Sequence, residues 1–284
     1  MQRNHKFFSL IWWLVNLLLV GAVAALLYTS LWEYSVRSYL DGFSDAIVPD
    51  DAPPEQKVDY ILAWMKSGPV HSTLPSPGGF SQRNPEVTLN YQQLLSICGT
   101  ATNAFLNLAR SSDLRSRRLL LLTPDRITKH VVAEVLIDGR WVIVDPSYHT
   151  LFRDASGQLV TRQQMKNPNI WRQATSVIPG YPSDYTYERI VHVRLTRLPL
   201  LGLNLRRFLD FISPRWEELI DWSLILERES FAMLLLSIFA VVFLLALRFL
   251  LGWYADRRLH LPRLHLRSLF SQTGRTLFSG PEAR

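Results

Sequence analysis

Two stretches of the chain run without charge for long enough to matter. Phe7–Tyr28 is a 22-residue uncharged run in which Asn16 is the most polar side chain, and Phe231–Leu247 is a second of 17 residues that resumes past Arg248 through Leu251. A helix needs roughly 20 apolar residues to cross a hydrocarbon core of about 30 Å. The first run therefore predicts a transmembrane helix as it stands, and the second does so if Arg248 extends toward the headgroups. Trp12, Trp13, Tyr28, Trp32, Trp253 and Tyr254 lie toward the ends of these runs, where interfacial aromatics gather. A buried core helix is the alternative for either run. A cleaved signal peptide is a further alternative for the first, because Ala22-Val23-Ala24 resembles a cleavage site. The apolar run continues past that site to Leu27, which favours an uncleaved anchor.

Between the runs the pattern changes to that of a mixed soluble domain. Residues 33–51 are mixed, and Asp50-Asp51-Ala52-Pro53-Pro54 marks a break. Val58–Lys66 has helical spacing through Tyr60, Ile61, Trp64 and Met65. Ser67–Pro85 is rich in Gly, Pro, Ser and Asn and reads as a long surface loop. A helix follows, with Ser96 as its N-cap, Ile97, Ala101, Ala104, Phe105 and Leu108 at helical spacing, and Arg110 at its C-terminal end. Three strands come next: Arg117–Thr123, His130–Ile137 and Arg140–Val144. The last two flank Asp138-Gly139, a strong signal for a two-residue hairpin turn. Both faces of these two strands are mostly apolar, so they are expected to be central. A second hairpin is expected near Asp154–Gly157. Arg197–Ile212 reads as an amphipathic helix, lying on a membrane or packed on the domain.

Charge orients this arrangement. Residues 31–230 hold 22 basic and 22 acidic side chains, so the net charge of +7 lies wholly in the two flanks. Basic flanks stay on the cytoplasmic side. The expected organisation is a cytoplasmic N-terminus (1–6), a membrane helix (7–30), a domain outside the inner membrane facing the periplasm or exterior (31–230), a second membrane helix (231–254) and a basic cytoplasmic tail (255–284). The high pI thus points to membrane lipids as partners and not to nucleic acid; the tail rests on anionic lipid or is simply solvated. Cys98 is the single cysteine, so no internal disulfide can form. A lone thiol outside the cytoplasm is an oxidation liability, and it is either a small buried hydrophobe or a chemical group.

The position of Cys98 favours chemistry. It is expected as the second residue of its helix, where free N–H groups and the positive end of the helix dipole favour a thiolate. The hairpin supplies partners. A two-residue turn at Asp138-Gly139 pairs Ile137 with Arg140, which puts Val132 opposite Asp145 and His130 opposite Ser147. Side chains alternate along strands, so His130, Val132 and Asp145 share one face and His130 and Asp145 are diagonal neighbours. An aspartate bonded to one imidazole nitrogen would leave the other for the thiol, as in nucleophile–base–orienter triads. The Cys98 N–H is one candidate oxyanion donor. No metal cluster is visible, since His71, His149, His192, His260 and His265 lack ligand-like spacing, and no cofactor is expected.

Three pieces together resemble the transglutaminase-like superfamily: Cys98-Gly99-Thr100-Ala101 opening a helix, His130-Val131-Val132-Ala133-Glu134-Val135, and Asp138-Gly139-Arg140-Trp141-Val142-Ile143-Val144-Asp145-Pro146. The resemblance covers roughly residues 90–150. It implies a papain-like α+β core, a Cys-carrying helix packed on an antiparallel sheet, with Cys98 as nucleophile, His130 as general acid/base and Asp145 as orienter. Papain-like enzymes place a side-chain amide a few residues upstream of the cysteine, which makes Gln92 the oxyanion-hole candidate and Gln93 its reserve. Many members carry an aromatic two residues after the histidine, where this chain has Val132. Glu134 is expected to form a structural salt bridge. Phe152–Leu159 and Tyr181–Gly202 look similar to extensions in bacterial transglutaminase-like proteins of cell-surface polysaccharide clusters. The expected function is thiol acyl transfer at the amide bonds of a protein or peptide substrate, in association with envelope or polysaccharide machinery; the alternative is an inactive scaffold in such an assembly.

Overall fold

The computed structural model describes residues 2–67, 84–90, 95–193, 202–214, 216 and 221–259. The Ser67–Pro85 loop, the start of the Arg197–Ile212 helix and most of the basic tail therefore fall largely outside the described residues, as do Gln92 and Gln93. The chain divides into two compact units, one of residues 1–28 with 235–284 and one of residues 29–234.

The first unit holds the first apolar run and most of the second. Helix α1 spans Gln2–Ile47, and a C-terminal helix spans Glu229–Tyr254. Both are long and apolar enough to cross a membrane, with peak mean hydropathies of 2.4 and 2.8. Their apolar side chains, including Trp13, Leu17, Val20, Leu236, Phe239 and Phe249, are exposed, as lipid-facing residues are. The one charge that interrupts the second run is accommodated locally: the Arg248 guanidinium lies over the Trp12 ring at 5.6 Å.

The second unit is α+β. Its helices are the end of α1, α2 (Pro54–Lys66), α3 (Pro85–Asn90), α4 (Cys98–Ser111), α5 (Arg162–Met165), α6 (Pro168–Ser176) and α7 (Gly202–Ile212), followed by a short helix Trp222–Glu227. Among the described residues five strands form one antiparallel sheet in the order β4-β3-β2-β1-β5. They are β1 (Ser116–Leu122), β2 (Thr128–Ile137), β3 (Arg140–Asp145), β4 (Thr150–Leu151) and β5 (Ile190–Val191). The mixed stretch after Tyr28 differs from expectation, because α1 continues through it without a break to Ile47. Trp32, Val36, Leu40, Phe43 and Ile47 recur at three- and four-residue spacing and pack into the core, so an amphipathic stripe within the mixed stretch carries the helix on to Ile47.

The β2–β3 hairpin has the register that its turn dictates. Asp138 and Gly139 adopt φ of 48° and 75°, the two left-handed positions of a type I′ turn, and Ile137 pairs with Arg140 through to Ala133 with Val144. The alternate faces of the hairpin then enter different cores. Ala133, Val135, Ile137, Val142 and Val144 meet α1, α2 and α4. Val132 and Ile143 meet a layer built from residues 152–187. The Asp154–Gly157 segment turns tightly, with a bridge between Arg153 and Leu159.

Glu134 has the salt bridge expected of it. It is buried on β2 opposite Arg117, with Nε to Oε2 at 2.7 Å, and the Arg117 guanidinium lies 4.0 Å over the Trp141 ring. Removing one member of a buried pair leaves the other charge uncompensated. Glu134→Ala is therefore expected to cost about 3 kcal/mol of stability, read as a lowered denaturation midpoint of the full chain in nanodiscs. A midpoint like that of the unsubstituted protein would remove the pair from the account.

Candidate active site

Helix α4 is held against β2 by small and buried residues. Ala101 and Ala104 let the backbones approach, Phe105 fills the core, and the Thr102 hydroxyl donates to the Val131 carbonyl at 3.0 Å. The start of α4 is thereby fixed beside the start of β2. The helix begins one residue later than expected. Ile97, extended at φ −96° and ψ 125°, occupies the N-cap without a side-chain cap, and Cys98 is the first helical residue. Ser96, expected as the cap, lies buried in a short 3₁₀ turn before it. The correction leaves the chemistry in place, because the first four N–H groups of a helix have no acceptor within it. Cys98 is partly exposed.

His130 and Asp145 meet as their shared hairpin face predicts. His130 Nε2 lies 2.7 Å from Asp145 Oδ2, and both side chains are wholly buried. The buried Nδ1 of His130 makes no aligned hydrogen bond, and the Cys98 side chain lies against the same ring, within hydrogen-bonding reach. Asp145 ends β3 and caps the 3₁₀ turn Pro146–Tyr148. Its Oδ1 accepts from the Ser147 hydroxyl at 2.8 Å, the Ser147 N–H at 3.2 Å and the Tyr148 N–H at 3.4 Å. Its Oδ2 also accepts from the Tyr181 hydroxyl at 3.1 Å. The backbone turn and three side chains thus hold one carboxylate in one orientation.

The electrostatics follow from this crowding. Burial pushes the His130 imidazole toward its neutral form, but the Asp145 charge, its hydrogen bond and Cys98 outweigh burial and raise His130 from 6.5 to about 9. Burial likewise opposes ionisation of Asp145, and the His130 charge with the His130, Ser147 and Tyr181 hydrogen bonds reverses it, holding the carboxyl below its ordinary 3.8. A histidine raised in the folded state contributes stability that is whole below its unfolded value and is lost as pH climbs through the folded one. Asp145 contributes above its unfolded value and loses that contribution as pH falls through its folded one. The full chain is therefore expected to lose about 3 kcal/mol between roughly pH 6 and 9.5, with no such slope in Asp145→Asn. A flat stability profile for the unsubstituted chain would contradict the buried pair.

A layer of tyrosines surrounds the pair, and the chain's pattern of polar and apolar positions does not reveal it. Tyr148, Tyr181 and Tyr185 all face the His130 ring, and Tyr185 stacks on it with centroids 4.1 Å apart. Tyr181 and Tyr185 come from an irregular Pro- and Gly-containing segment between α6 and β5, where no periodic pattern exists to read. Among the described residues no group of three or more His, Cys, Asp or Glu side chains is placed to hold a metal.

No curated protein and no solved structure matches the chain at a significant level. The transglutaminase-like superfamily matches it over residues 41–146, a span that runs from the end of α1 through β3 and takes in Cys98, His130 and Asp145. By that match and by the α+β architecture around it, residues 41–146 of this chain form a region similar to the transglutaminase-like superfamily.

Proposed function

We propose that this chain is a membrane-anchored thiol acyl-transfer enzyme that acts on amide bonds outside the cytoplasmic membrane. The observation that carries the reading is the buried 2.7 Å contact between His130 Nε2 and Asp145 Oδ2 beside the only thiol of the chain, at the first residue of a helix. In that arrangement Cys98 is the nucleophile, His130 the general acid/base and Asp145 the group that orients the imidazole. The Cys98 thiolate adds to the substrate carbonyl, forming a C–S bond. The His130 imidazolium gives its proton to the leaving nitrogen as the C–N bond breaks, which leaves a thioester and a free amine. Water or an amine then adds to the thioester, returning a proton to His130 and releasing the thiolate. Water as acceptor makes the chain a peptidase or amidase, and an amine makes it a cross-linking transferase. The Cys98 N–H and the Gln92 amide are the candidate oxyanion donors.

Orientation rests on the charge of the flanks, which favours both termini in the cytoplasm and the catalytic domain in the periplasm or exterior. Protease-protected tags at both termini with an accessible tag in the Ser67–Pro85 loop are the expected result, and an accessible terminal tag would overturn it. The substrate class is an amide-containing protein or peptide, in the setting of envelope or surface-polysaccharide assembly. A thiol-directed acyl probe separates this from the scaffold alternative. Labelling of the unsubstituted chain but not of Cys98→Ala supports an enzyme. An inert Cys98, with full cellular function in Cys98→Ala, supports a scaffold.

A further inference from the structure

We propose that Tyr185 is a positioning residue that holds His130 in its imidazolium form, and that the segment 178–187 is part of the active site although it lies outside the superfamily match. The proposal rests on the Cys98–His130–Asp145 reading above. The Tyr185 ring lies flat on the imidazole, with centroids 4.1 Å apart and planes 13° from parallel. Tyr181 stands perpendicular to the same imidazole with centroids 6.4 Å apart, and its hydroxyl donates to Asp145. The Tyr185 backbone is itself fixed, because its carbonyl accepts from Trp171 Nε1 at 2.9 Å and its N–H donates to the Pro182 carbonyl at 3.2 Å. Gly180, at φ 70°, allows the turn that brings Tyr181 and Tyr185 over the pair. The segment is anchored at both ends, by α6 before it and by β5 on the sheet edge after it.

The physical consequence is specific. An aromatic face is electron-rich, so it attracts an imidazolium and has little attraction for a neutral imidazole. The stack therefore adds to what Asp145 does, and it does so while excluding water from the His130–Asp145 bond. It also fixes the plane of the ring, with Nε2 held on Asp145 and the Cys98 side chain against the same ring. The titratable groups that face this ring are Asp145, Cys98, Tyr148, Tyr181 and Tyr185. Tyr185 differs from Tyr148 and Tyr181 in lying parallel to the ring, stacked on it at the shortest centroid distance.

The test is the pH dependence of Cys98 alkylation in the full chain in nanodiscs, from about pH 5 to 10, with iodoacetate and iodoacetamide compared. An imidazolium beside the thiolate accelerates the anionic reagent over the neutral one, and that advantage is lost where His130 gives up its proton. Tyr185→Leu keeps an apolar cover but removes the π face, so its alkaline limb is expected about one pH unit below that of the unsubstituted chain. Tyr185→Phe keeps the face and is expected to keep the limb. A limb unmoved in Tyr185→Leu overturns the proposal. If that variant fails to fold, pentafluorophenylalanine at position 185, which keeps the shape and reverses the charge of the face, must move the limb in the same direction, and an unmoved limb again overturns it. An unsubstituted chain in which iodoacetate has no advantage at any pH would overturn the Cys98–His130 pairing itself, and this proposal with it.

Discussion

His130→Ala is expected to slow acylation of Cys98 by about 10⁴-fold or more. Two losses combine. The imidazolium that stabilises a thiolate disappears, and so does the acid that protonates the leaving nitrogen. The side chain is wholly buried between Asp145 and Tyr185, so the substitution also opens a cavity and leaves the Asp145 charge without its main counter-charge. His130→Gln separates these effects, since a glutamine amide can still donate to Asp145 but cannot carry a proton to an amine. Its acylation rate is expected to fall as far as that of the alanine variant, with a smaller drop in denaturation midpoint. Single-turnover acylation by an activated acyl probe reads the rate directly. A fall of less than about tenfold in both variants would take His130 out of the chemistry.

Asp145→Ala is expected to be as damaging to the rate, about 10⁴-fold, and costlier to the fold. The carboxylate accepts from His130, Tyr181, both donors of Ser147 and the Tyr148 N–H. Its removal strands these buried donors and unpairs the imidazolium, which together correspond to about 3–5 kcal/mol. Asp145→Asn keeps the shape. Its amide oxygen can serve some of these donors, but no negative charge remains to hold the imidazolium, so the rate falls while more of the stability is kept. The alkaline limb of iodoacetate alkylation is expected to move to lower pH in the same variant, because the largest influence that raises His130 is the Asp145 charge. A rate within tenfold of the unsubstituted chain in Asp145→Asn, with the fold intact, would reduce Asp145 to a structural cap on the turn after β3.

The parts of this site that were legible in the sequence are those fixed by local rules. Asp138-Gly139 specifies a turn, the turn specifies a register, and the register puts His130 and Asp145 on one face, which is the arrangement found. The helix that carries Cys98 was legible from its apolar spacing, although its first residue was misjudged by one because a 3₁₀ turn at Leu95-Ser96 takes the place of a side-chain cap. The parts that were not legible depend on tertiary contact. The extension of α1 to Ile47 is stabilised by packing on α2 and α4, and the stripe of Trp32, Val36, Leu40, Phe43 and Ile47 that carries it is masked by the polar residues between. Strands β4 and β5 are two residues each and exist only as additions to the sheet edges. Tyr181 and Tyr185 lie in an aperiodic stretch whose course is set by Gly180, Pro182 and the Trp171 hydrogen bond. The stretch stood out in the sequence only as part of an extension, with no role assigned to any of its tyrosines.

The nucleophile is read out by the intact mass of the full chain after exposure to an acyl-transferring amide or ester probe, followed by mapping of the adduct. One acyl addition is expected on Cys98, released by hydroxylamine as a thioester is, and no addition in Cys98→Ala. An unmodified chain, or an adduct that persists in Cys98→Ala, would contradict it.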